Sequence, residues 1–378
     1  MKVKILQEKL KKAVSYVEKV TGKDSTLPIL GNIMLKVENN SMGIAATNLE
    51  TGVLWETLAK VEENGAIVLP TQTLSSLIGS LPGPTLTIET QKNSISIIDG
   101  KTKTNLNGLS AEEFPVIPFI GDGDFFSVRA DFFCQALSCV VGFTGASSVK
   151  QEINGVYMVI GANKIKFVAT DSFRLGEKTI SITTSNKISK DYAITLPARA
   201  AREIIAIFGD ISKNINIYLS GNQITIDLFN GADIDEPRIR FFSRLIDGDF
   251  PDYQAIIPAS YVASAGFSKK EIMGHLKPAG IFAGKNNEVV FNVSIKNKSI
   301  KISSHSAELG EYEGELKINS ASGKDMSIVF NCRFLIDGLS ASKNDECIFE
   351  FSGDDGPGLL KFADETDFIY IIMPIKKY

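Results

Sequence analysis

Apolar residues recur at helical spacing in six segments of the chain, and short alternating stretches fill the intervals between them. The first segment, Gln7–Val20, places Leu10, Val14 and Val17 on one face, which predicts an amphipathic helix. The same reasoning predicts helices over five further segments, which are Thr71–Ser80, Arg129–Gly142, Pro197–Phe208, Ser268–Lys277 and Asn331–Ser342. The alternating stretches are bounded by turn residues and predict antiparallel strands.

One phrase of this pattern, a strand that runs into a helix, occurs three times. It reads Ala66–Thr71, then Ala193–Ala198, then Ser327–Cys332. Two other phrases recur once, Ala45–Glu50 as Val168–Phe173 and Glu113–Pro118 as Asp249–Pro258. The spacing of roughly 125–135 residues is too long for a solenoid repeat and suits a complete small domain. We therefore predict an α+β fold of three tandem copies of a two-helix, antiparallel-sheet domain, at 1–119, 120–252 and 253–378.

The composition is that of an ordinary globular protein, with 44% hydrophobic and 22% charged residues. No stretch approaches the roughly 18 consecutive apolar residues of a membrane helix, and the N-terminus lacks the apolar segment of a secretory signal. A cytoplasmic location without a membrane partner is expected. The cysteines, Cys134, Cys139, Cys332 and Cys347, show no CxxC or zinc-ligand spacing, so reduced and mostly buried thiols are expected.

The distribution of charge is more informative than the net charge of −4, which does not indicate nucleic-acid binding. The six predicted helices are together net positive, so the strands and loops carry a larger negative excess than the whole chain. Helix propensity alone can place lysine in a helix. A bias shared by the copies also predicts one basic and one acidic surface.

Motifs for catalysis are absent or weak. The chain has no GxxxxGK[ST], GxGxxG or HExxH sequence and only two histidines, His275 and His305, so we predict no catalytic residue and no cofactor. Carboxylate pairs of the kind that bind hard cations occur in turns, but none has a converging third ligand. They are Asp122/Asp124, Asp233/Asp235, Asp247/Asp249 and Asp354/Asp355. No metal site is predicted. A metal-dependent phosphodiesterase stays as an alternative, and metal-dependent DNA cleavage would identify it.

Four separated phrases closely resemble signatures of the bacterial sliding clamps, the beta subunits of DNA polymerase III. They are Thr26–Asn32, Val168–Leu175, Asp249–Tyr253 and Met373–Ile375, in one collinear order. The resemblance implies the DNA clamp fold, in which a head-to-tail homodimer of three-domain subunits forms a ring. It also implies a non-catalytic processivity subunit that encircles double-stranded DNA without regard to sequence. Because no nucleotide-binding motif is present, a separate ATP-dependent clamp loader is implied.

Basic residues on the predicted helices and in nearby loops are candidates for the DNA-facing surface. They are Lys9, Lys12, Lys23, Lys150, Arg199, Arg202, Lys269 and Lys270. Family position favours Lys23, Lys150 and Arg199 in particular. Contacts from such residues to phosphates attract DNA without reading its sequence.

By the same resemblance, partners bind through short apolar peptide motifs in a cleft between the second and third domains. These partners are the catalytic subunit of DNA polymerase III, the clamp loader and other replication and repair proteins. The matching positions are Ile153, Thr170, Ser172, Phe173, Arg174, Leu175, Pro251, Ala255, Ile256, Phe334, Pro357, Ile371, Met373, Pro374 and Ile375. Thr170 and Arg174 are expected to hold polar groups of the peptide. The chain departs from the family at Phe173, where His is frequent, and at Ala255, where Arg is frequent.

The resemblance also assigns the contact between subunits. Apolar residues are Leu106 on the first domain and Ile281 and Phe282 on the third, and charged residues are Lys101 and Lys103 opposite Glu308, Glu311 and Glu313. Opposite charges of this kind set orientation and association rate more than affinity. A repeat scaffold without a role on DNA is a further alternative. Retention on circular but not linear DNA would distinguish a clamp from such a scaffold.

Overall fold

The computed structural model describes residues 1–22, 27–182, 188, 190–228 and 238–376. Within these residues each of the three copies contains two α-helices, and every strand pairing is antiparallel. The predicted α+β class, with a two-helix domain repeated three times, is therefore confirmed. No helix in the described ranges has the length and apolar character needed to cross a membrane. Asn230–Pro237, an acidic insertion of the second copy, lies outside these ranges.

The first copy contains nine strands and two helices in its described part. Its elements are β1 (Lys2–Leu6), α1 (Gln7–Val17), β2 (Asn32–Glu38), β3 (Ser41–Thr47), β4 (Thr51–Leu58), β5 (Lys60–Glu63), β6 (Gly65–Pro70), α2 (Thr71–Ser80), β7 (Thr85–Gln91), β8 (Ser94–Asp99) and β9 (Thr102–Asn107).

The second and third copies repeat this order. The second has β10 (Phe125–Arg129), α3 (Ala130–Val140), β11 (Gly155–Ile160), β12 (Lys164–Thr170), β13 (Arg174–Ser181), β14 (Tyr192–Pro197), α4 (Ala198–Phe208), β15 (Asn214–Leu219), β16 (Gln223–Leu228) and β17 (Arg238–Arg244). The third has β18 (Ala263–Ser268), α5 (Lys269–Ile281), β19 (Glu288–Ser294), β20 (Ser299–Ser306), β21 (Gly310–Lys317), β22 (Ser320–Gly323), β23 (Met326–Asn331), α6 (Cys332–Ser340), β24 (Glu346–Phe351), β25 (Gly358–Phe362) and β26 (Glu365–Ile372).

Two predicted helix ends differ from the structure by three residues or more. Helix α1 ends at Val17 because the next amides bond to carbonyls three residues back, as Val20 N does to Val17 O at 3.1 Å, and such bonds tighten a last turn. Helix α5 was expected to end at Lys277, but it continues past Pro278 to Ile281. A proline removes one backbone donor, and the helix absorbs that loss near its C-terminal end.

The chain forms two compact units, and each contains two sheets. One unit comprises Met1–Cys134, Ile182–Lys190 and Arg199–Leu245. Its sheets have the orders β5-β1-β7-β8-β9 and β10-β15-β16-β17-β4-β3-β2-β6. In the second of these sheets β4 of the first copy pairs with β17 of the second copy, from Thr51↔Ser243 to Glu56↔Arg238. The boundary between these two copies is therefore bridged by a backbone ladder.

The other unit comprises Gln135–Ser181, Asp191–Ala198 and Ile246–Tyr378. Its sheets have the orders β14-β11-β12-β13-β26-β25-β24-β18-β22 and β21-β20-β19-β23. Here β13 of the second copy pairs with β26 of the third, from Arg174↔Ile372 to Lys178↔Phe368. The same bridging arrangement thus occurs twice in the chain, with β13 in the place of β4 and β26 in the place of β17.

A side-chain contact from a helix of the later copy reinforces each bridge. The carboxylate of Glu203, the sixth residue of α4, accepts a hydrogen bond of 2.7 Å from Thr51 Oγ1, at the start of β4. The sixth residue of α6, Asp337, forms an ion pair with Arg174 at the start of β13. The residue of α2 that corresponds to Glu203 and Asp337 is Ser76, which is exposed. The residue of the third copy that corresponds to Thr51 and Arg174 is Gly310, at the start of β21.

Glu203 is almost completely buried in this contact. It also accepts a hydrogen bond of 2.8 Å from Arg199 Nε, one helical turn earlier. Burial opposes the negative charge and raises the pKa of Glu203, although the bonds from Thr51 and Arg199 act in the other direction. Folding therefore favours the protonated form of this carboxyl group.

Replacing Glu203 with Gln should remove one source of pH dependence from the stability of the first unit. A carboxyl whose pKa is raised on folding stabilises the protein fully below its unfolded pKa, and this contribution is lost as the pH rises toward the folded value. We expect the melting temperature of E203Q relative to wild type to be higher at pH 7 than at pH 4. The exposed Glu8→Gln serves as the matched control. The same relative melting temperature at both pH values would contradict the expectation.

Candidate peptide-binding cleft and nucleic-acid surface

The floor of the candidate cleft is a buried apolar cluster on one face of the nine-stranded sheet. It contains Val168, Leu175, Tyr253, Leu359 and Ile371. Strand pairing brings three of these residues together, because Ile371 lies opposite Leu175 on β13 and opposite Leu359 on β25. Two of the predicted cleft residues, Leu175 and Ile371, are thus neighbours in this floor.

Tyr253 of this floor and two bordering residues, Tyr157 and Phe250, form an aromatic group, and none of the three is among the predicted cleft positions. The rings of Tyr157 and Phe250 stack with centroids 4.5 Å apart, and Tyr253 meets both edge-on. The hydroxyl of Tyr253 donates a 2.7 Å hydrogen bond to Glu177. Burial and this carboxylate both raise the pKa of Tyr253. The phrase Asp249–Tyr253 was the available signal, since it contains two of these rings.

The turn between β12 and β13 presents an exposed aromatic ring. Thr170 Oγ1 donates to Arg174 O at 2.7 Å and accepts from Ser172 N at 3.1 Å. Ser172 adopts a left-handed conformation with φ of 77°, and the side chain of Phe173 is 63% exposed. The Thr170 hydroxyl closes this turn, and its contact with a polar group of a bound peptide stays a prediction.

Arg174 is engaged within the protein, although we expected it to hold polar groups of a partner. Its guanidinium is only 10% exposed and bonds to Asp171 and Asp337, and to the carbonyl of Gly142 at 3.2 Å. The group also stacks over Phe334, 4.3 Å from the ring centroid. Burial opposes its charge, but the hydrogen bonds and ion pairs outweigh burial and raise the pKa of Arg174.

Arg174 and Leu175 are adjacent in a strand and therefore point to opposite faces of the sheet. Leu175 belongs to the apolar floor, whereas Arg174 and Phe334 lie on the face that carries α6. The fifteen predicted positions thus divide between two faces. Phe334 fits the contact between copies better than a peptide floor.

The C-terminal segment runs beside the turn of Phe173. The amide of Met373 donates to Phe173 O at 2.8 Å, and the amide of Ile375 donates to Val329 O at 2.8 Å. Met373, Pro374 and Ile375 are half-buried. Residues 373–375, which follow β26, and the 171–173 turn therefore form one rim of the candidate cleft.

The remaining predicted cleft residues differ in exposure. Pro251, Ala255 and Ile256 are exposed along the segment that precedes β18, and Pro357 is half-buried before β25. Ile153 is 3% exposed and accepts from Gly145 N through its carbonyl at 2.9 Å. It is a core residue under the 144–154 loop.

Most candidates for the DNA-facing surface are exposed. Lys12, Lys150, Arg199, Arg202 and Lys270 are exposed, Lys9 and Lys269 are half-buried, and Lys23 lies outside the described residues. In α4 the buried residues include Ala200, Ala201 and Ile204, so Arg199 and Arg202 occupy the opposite, solvent face. Lys269 Nζ donates to Ser342 O at 2.7 Å, which gives this lysine a structural role.

Four of the candidate interface residues lie on two strands at sheet edges, Lys103 and Leu106 on β9 and Glu311 and Glu313 on β21. Strand β9, with Leu106 half-buried and Lys103 exposed, ends one sheet of the first unit, and β21 ends one sheet of the second. Lys101, Glu308, Glu311 and Glu313 are exposed, and Glu313 pairs with Lys301 at 2.8 Å.

An apolar group accompanies the second of these edges. The side chains of Ile281 and Leu309 are 63% and 64% exposed. A Cβ atom on Gly310 would lie 3.8 Å from the ring of the half-buried Phe282. These three apolar side chains and the bare backbone of Gly310 therefore share one surface.

The carboxylate pairs do not form a metal site in the described part of the chain, since no group of three His, Cys, Asp or Glu side chains converges there. Asp233 and Asp235 lie outside it. His275 Nδ1 is 2.8 Å from the hydroxyl of Tyr312, so this histidine belongs to the packing of α5 on β21. The cysteines are free thiols as predicted, and burial raises the pKa of Cys332 to about 11.

A domain of two helices and antiparallel sheet, repeated three times with strands paired across the boundaries, defines the DNA clamp fold. The three domain models of the DNA polymerase III beta subunit match the chain in order: the N-terminal domain at 1–118, the central domain at 128–252 and the C-terminal domain at 254–376. The chain belongs to the DNA polymerase III beta subunit family.

Individual relatives agree with this assignment. The beta sliding clamp of Bacillus subtilis is 26% identical over the full length of both chains. That of Staphylococcus epidermidis strain ATCC 12228 is 26% identical over 94% of this chain and 93% of its own. Among solved structures, the DNA polymerase sliding clamp of B. subtilis superposes with a TM-score of 0.92 at 24% identity, and the beta subunit of Thermotoga maritima with 0.90 at 24%, each over 100% of both chains.

Deleting Met373–Tyr378 should remove binding of a short peptide with a leucine and an aromatic anchor, because Met373 forms part of the rim beside Phe173. Such anchors carry most of the energy of a small interface, so we expect affinity to fall by at least about 10-fold. Peptide titration by fluorescence anisotropy measures the loss, and solution mass provides the control for assembly. Wild-type affinity in the truncated protein would show that the peptide binds elsewhere.

Proposed function

We infer that this chain acts as a DNA sliding clamp, a processivity subunit that encircles duplex DNA and holds DNA polymerase III on it. The observation that carries this inference is the ordered match of three clamp domains along nearly the whole chain. The chain is not itself the polymerase. The chain stays on DNA because it encircles the duplex, so it does not need to bind the phosphates tightly.

Closure around DNA follows from the internal repeat. In each bridge the strand that follows the 48–50 or 171–173 turn pairs with the last strand of the next copy. By the same rule, β21 of the third copy should pair with the last strand of another copy. The last strand of the first copy, β9, lacks a partner of the β4 and β13 type. Both are sheet edges, and exposed edges favour pairing with another chain. Two copies joined head to tail satisfy both edges and form a closed homodimer.

The repeat also predicts the register of this contact. Thr51 pairs with Ser243, and Arg174 with Ile372; the corresponding residues are Gly310 on β21 and Leu106 on β9. Pairing them places Leu106 of one copy over the bare backbone of Gly310, beside Phe282 of the other. It also places Lys103 opposite Glu313 and Lys101 opposite Glu315. Apolar contact and charge complementarity therefore support the same register.

A charge exchange tests this register. K103E and E313K alone should each weaken the dimer, and the K103E/E313K double variant should recover most of the loss. Exposed ion pairs contribute about 0.2–1 kcal/mol and each ring has two such seams, so the dissociation constant of a single variant should rise roughly 2- to 30-fold. Sedimentation equilibrium measures this constant. Lys298→Glu, at an exposed turn, is the matched control, and a double variant no tighter than either single variant would reject the register.

Contact with DNA is assigned to the exposed basic residues, chiefly Lys150 and Arg199. Helix side chains that touch phosphates provide sequence-independent attraction, which suits a protein that must slide. The polymerase, the clamp loader and other replication proteins are proposed to bind at the Phe173 and Met373 rim and the Leu175 floor. Opening is assigned to a separate ATP-dependent loader.

The variant Lys150→Glu/Arg199→Glu should load less well onto nicked circular DNA with a cognate loader. The slope of log affinity against log salt should fall by about 0.9 for each phosphate contact removed, alike for all DNA sequences. Retention on circular and linear DNA, measured by gel filtration at several salt concentrations, gives both quantities. Lys60→Glu/Lys164→Glu changes the same charge on two strands and should leave them unaltered. Equal effects of the two double variants would reject the DNA-facing assignment.

A further inference from the structure

The first copy contains an open apolar groove that the function proposed above does not use. It runs between the 111–119 segment and the outer face of β2, β3 and β4, and it has a volume of about 780 Å³. This is within the roughly 300–1,000 Å³ of small-ligand pockets. The floor is formed by Met34, Gly43, Ala45 and Leu54, and the rim includes Val116 and Arg240.

Strand register identifies the counterpart of this floor in the second copy. Met34, Ala45 and Leu54 lie opposite one another on β2, β3 and β4, and Arg240 on β17 follows in the same row. The equivalent row on β11, β12, β13 and β26 is Tyr157, Val168, Glu177 and Ile369. The two grooves are therefore the same feature of the repeat with different side chains.

The second copy covers its counterpart with polar and aromatic side chains. Lys166 Nζ bonds to Glu177 at 3.0 Å, and Tyr253 donates to the same carboxylate at 2.7 Å. Tyr157 stacks on Phe250. Together these contacts place charged and aromatic side chains over the strands of the second copy.

The first copy lacks three of those covering side chains. Gly43 stands in place of Lys166, Leu54 in place of Glu177, and Met34 in place of Tyr157. The ion pair is thus absent, and the floor becomes apolar and open. A cluster of Ala45, Phe114 and Val68 closes the bottom of the groove.

The rim combines one exposed apolar side chain with one unsatisfied donor. Val116 is 91% exposed. The guanidinium of Arg240 lies over the ring of Phe119 at 4.6 Å, and its Nη2 is 3.6 Å from Glu56. Its Nε is buried and has no hydrogen-bond partner among the described residues. Because Glu56 already balances the charge of the guanidinium, an uncharged acceptor such as a peptide carbonyl suits the part of Arg240 that lines the groove.

We propose that this groove binds a short, uncharged, extended peptide segment of a partner protein. An apolar side chain of the peptide lies over Gly43 and Ala45, and a main-chain carbonyl accepts a hydrogen bond from the part of the Arg240 side chain that lines the groove. The groove has room for only a few side chains of an occupant. A stable dimer buries roughly 1,200–2,000 Å² of surface in total, so a second copy of the chain would need a much larger contact than this groove offers. The site differs from the candidate cleft, so it gives the chain a second place to hold a partner.

The test uses the full chain with methyl-labelled Met, Leu and Ile and the probe acetyl-Gly-Leu-Phe-Gly-amide. We expect saturable shifts of the Met34 and Leu54 methyl signals that change little with salt, and none with acetyl-Gly-Ser-Ser-Gly-amide. G43K/L54E introduces the lysine and glutamate of the second copy and should abolish these shifts. Val116→Ser, at an exposed position that does not affect folding, should weaken binding about 3- to 10-fold.

Phe173→Ala is the matched control, because it alters the candidate cleft and should leave the Met34 and Leu54 shifts unchanged. Three results would overturn the proposal. They are the absence of shifts at Met34 and Leu54 with the leucine–phenylalanine probe, equal probe affinity in wild type and Val116→Ser, and methyl shifts that follow protein concentration without any peptide. The last result would mean that a second copy of the chain covers the groove.

Discussion

Backbone hydrogen bonding across the boundaries between copies is the constraint on which the rest of this structure depends. A strand that is left without a neighbour exposes a row of amides and carbonyls, and such groups are nearly always paired in folded proteins. Here β4 and β13 find that neighbour in the next copy, as β17 and β26. The copies therefore share sheets instead of meeting through side chains alone, and the two compact units each contain parts of two copies.

This sharing explains which features sequence patterns predict and which they do not. Local signals predicted the six helices, and the bounds of α2 are those expected from Thr71–Ser80. The repeat of Ala45–Glu50 as Val168–Phe173 was also visible, because it preserves a turn whose geometry depends on adjacent residues. The partner of a strand across a copy boundary is a long-range choice that periodicity does not encode. No prediction made from the sequence named that partner strand.

The candidate cleft shows the same division between local and long-range information. Resemblance identified Leu175 and Ile371, which meet in the apolar floor, but it gave Thr170 and Arg174 a role toward partners. In the structure both are committed to internal contacts. A buried guanidinium is stable only when its donors are matched, and Asp171 and Asp337 do this. The pair with Asp171 is local, but no sequence pattern links Arg174 to Asp337, 163 residues away. Nor does any pattern show that Tyr157, Phe250 and Tyr253 meet.

The contact between helix and turn has a mechanical consequence for a closed dimer. Each bridge inside the chain combines covalent continuity, a backbone ladder and a side-chain contact, from Glu203 to Thr51 or from Asp337 to Arg174. The positions that would make this contact between two chains are Ser76 and Gly310, and neither carries a charged group. In a homodimer closed as proposed above, the joint between subunits would have one fewer type of contact than each internal bridge and no connecting chain. Such a ring would open most easily at this joint, beside Ser76 and Gly310.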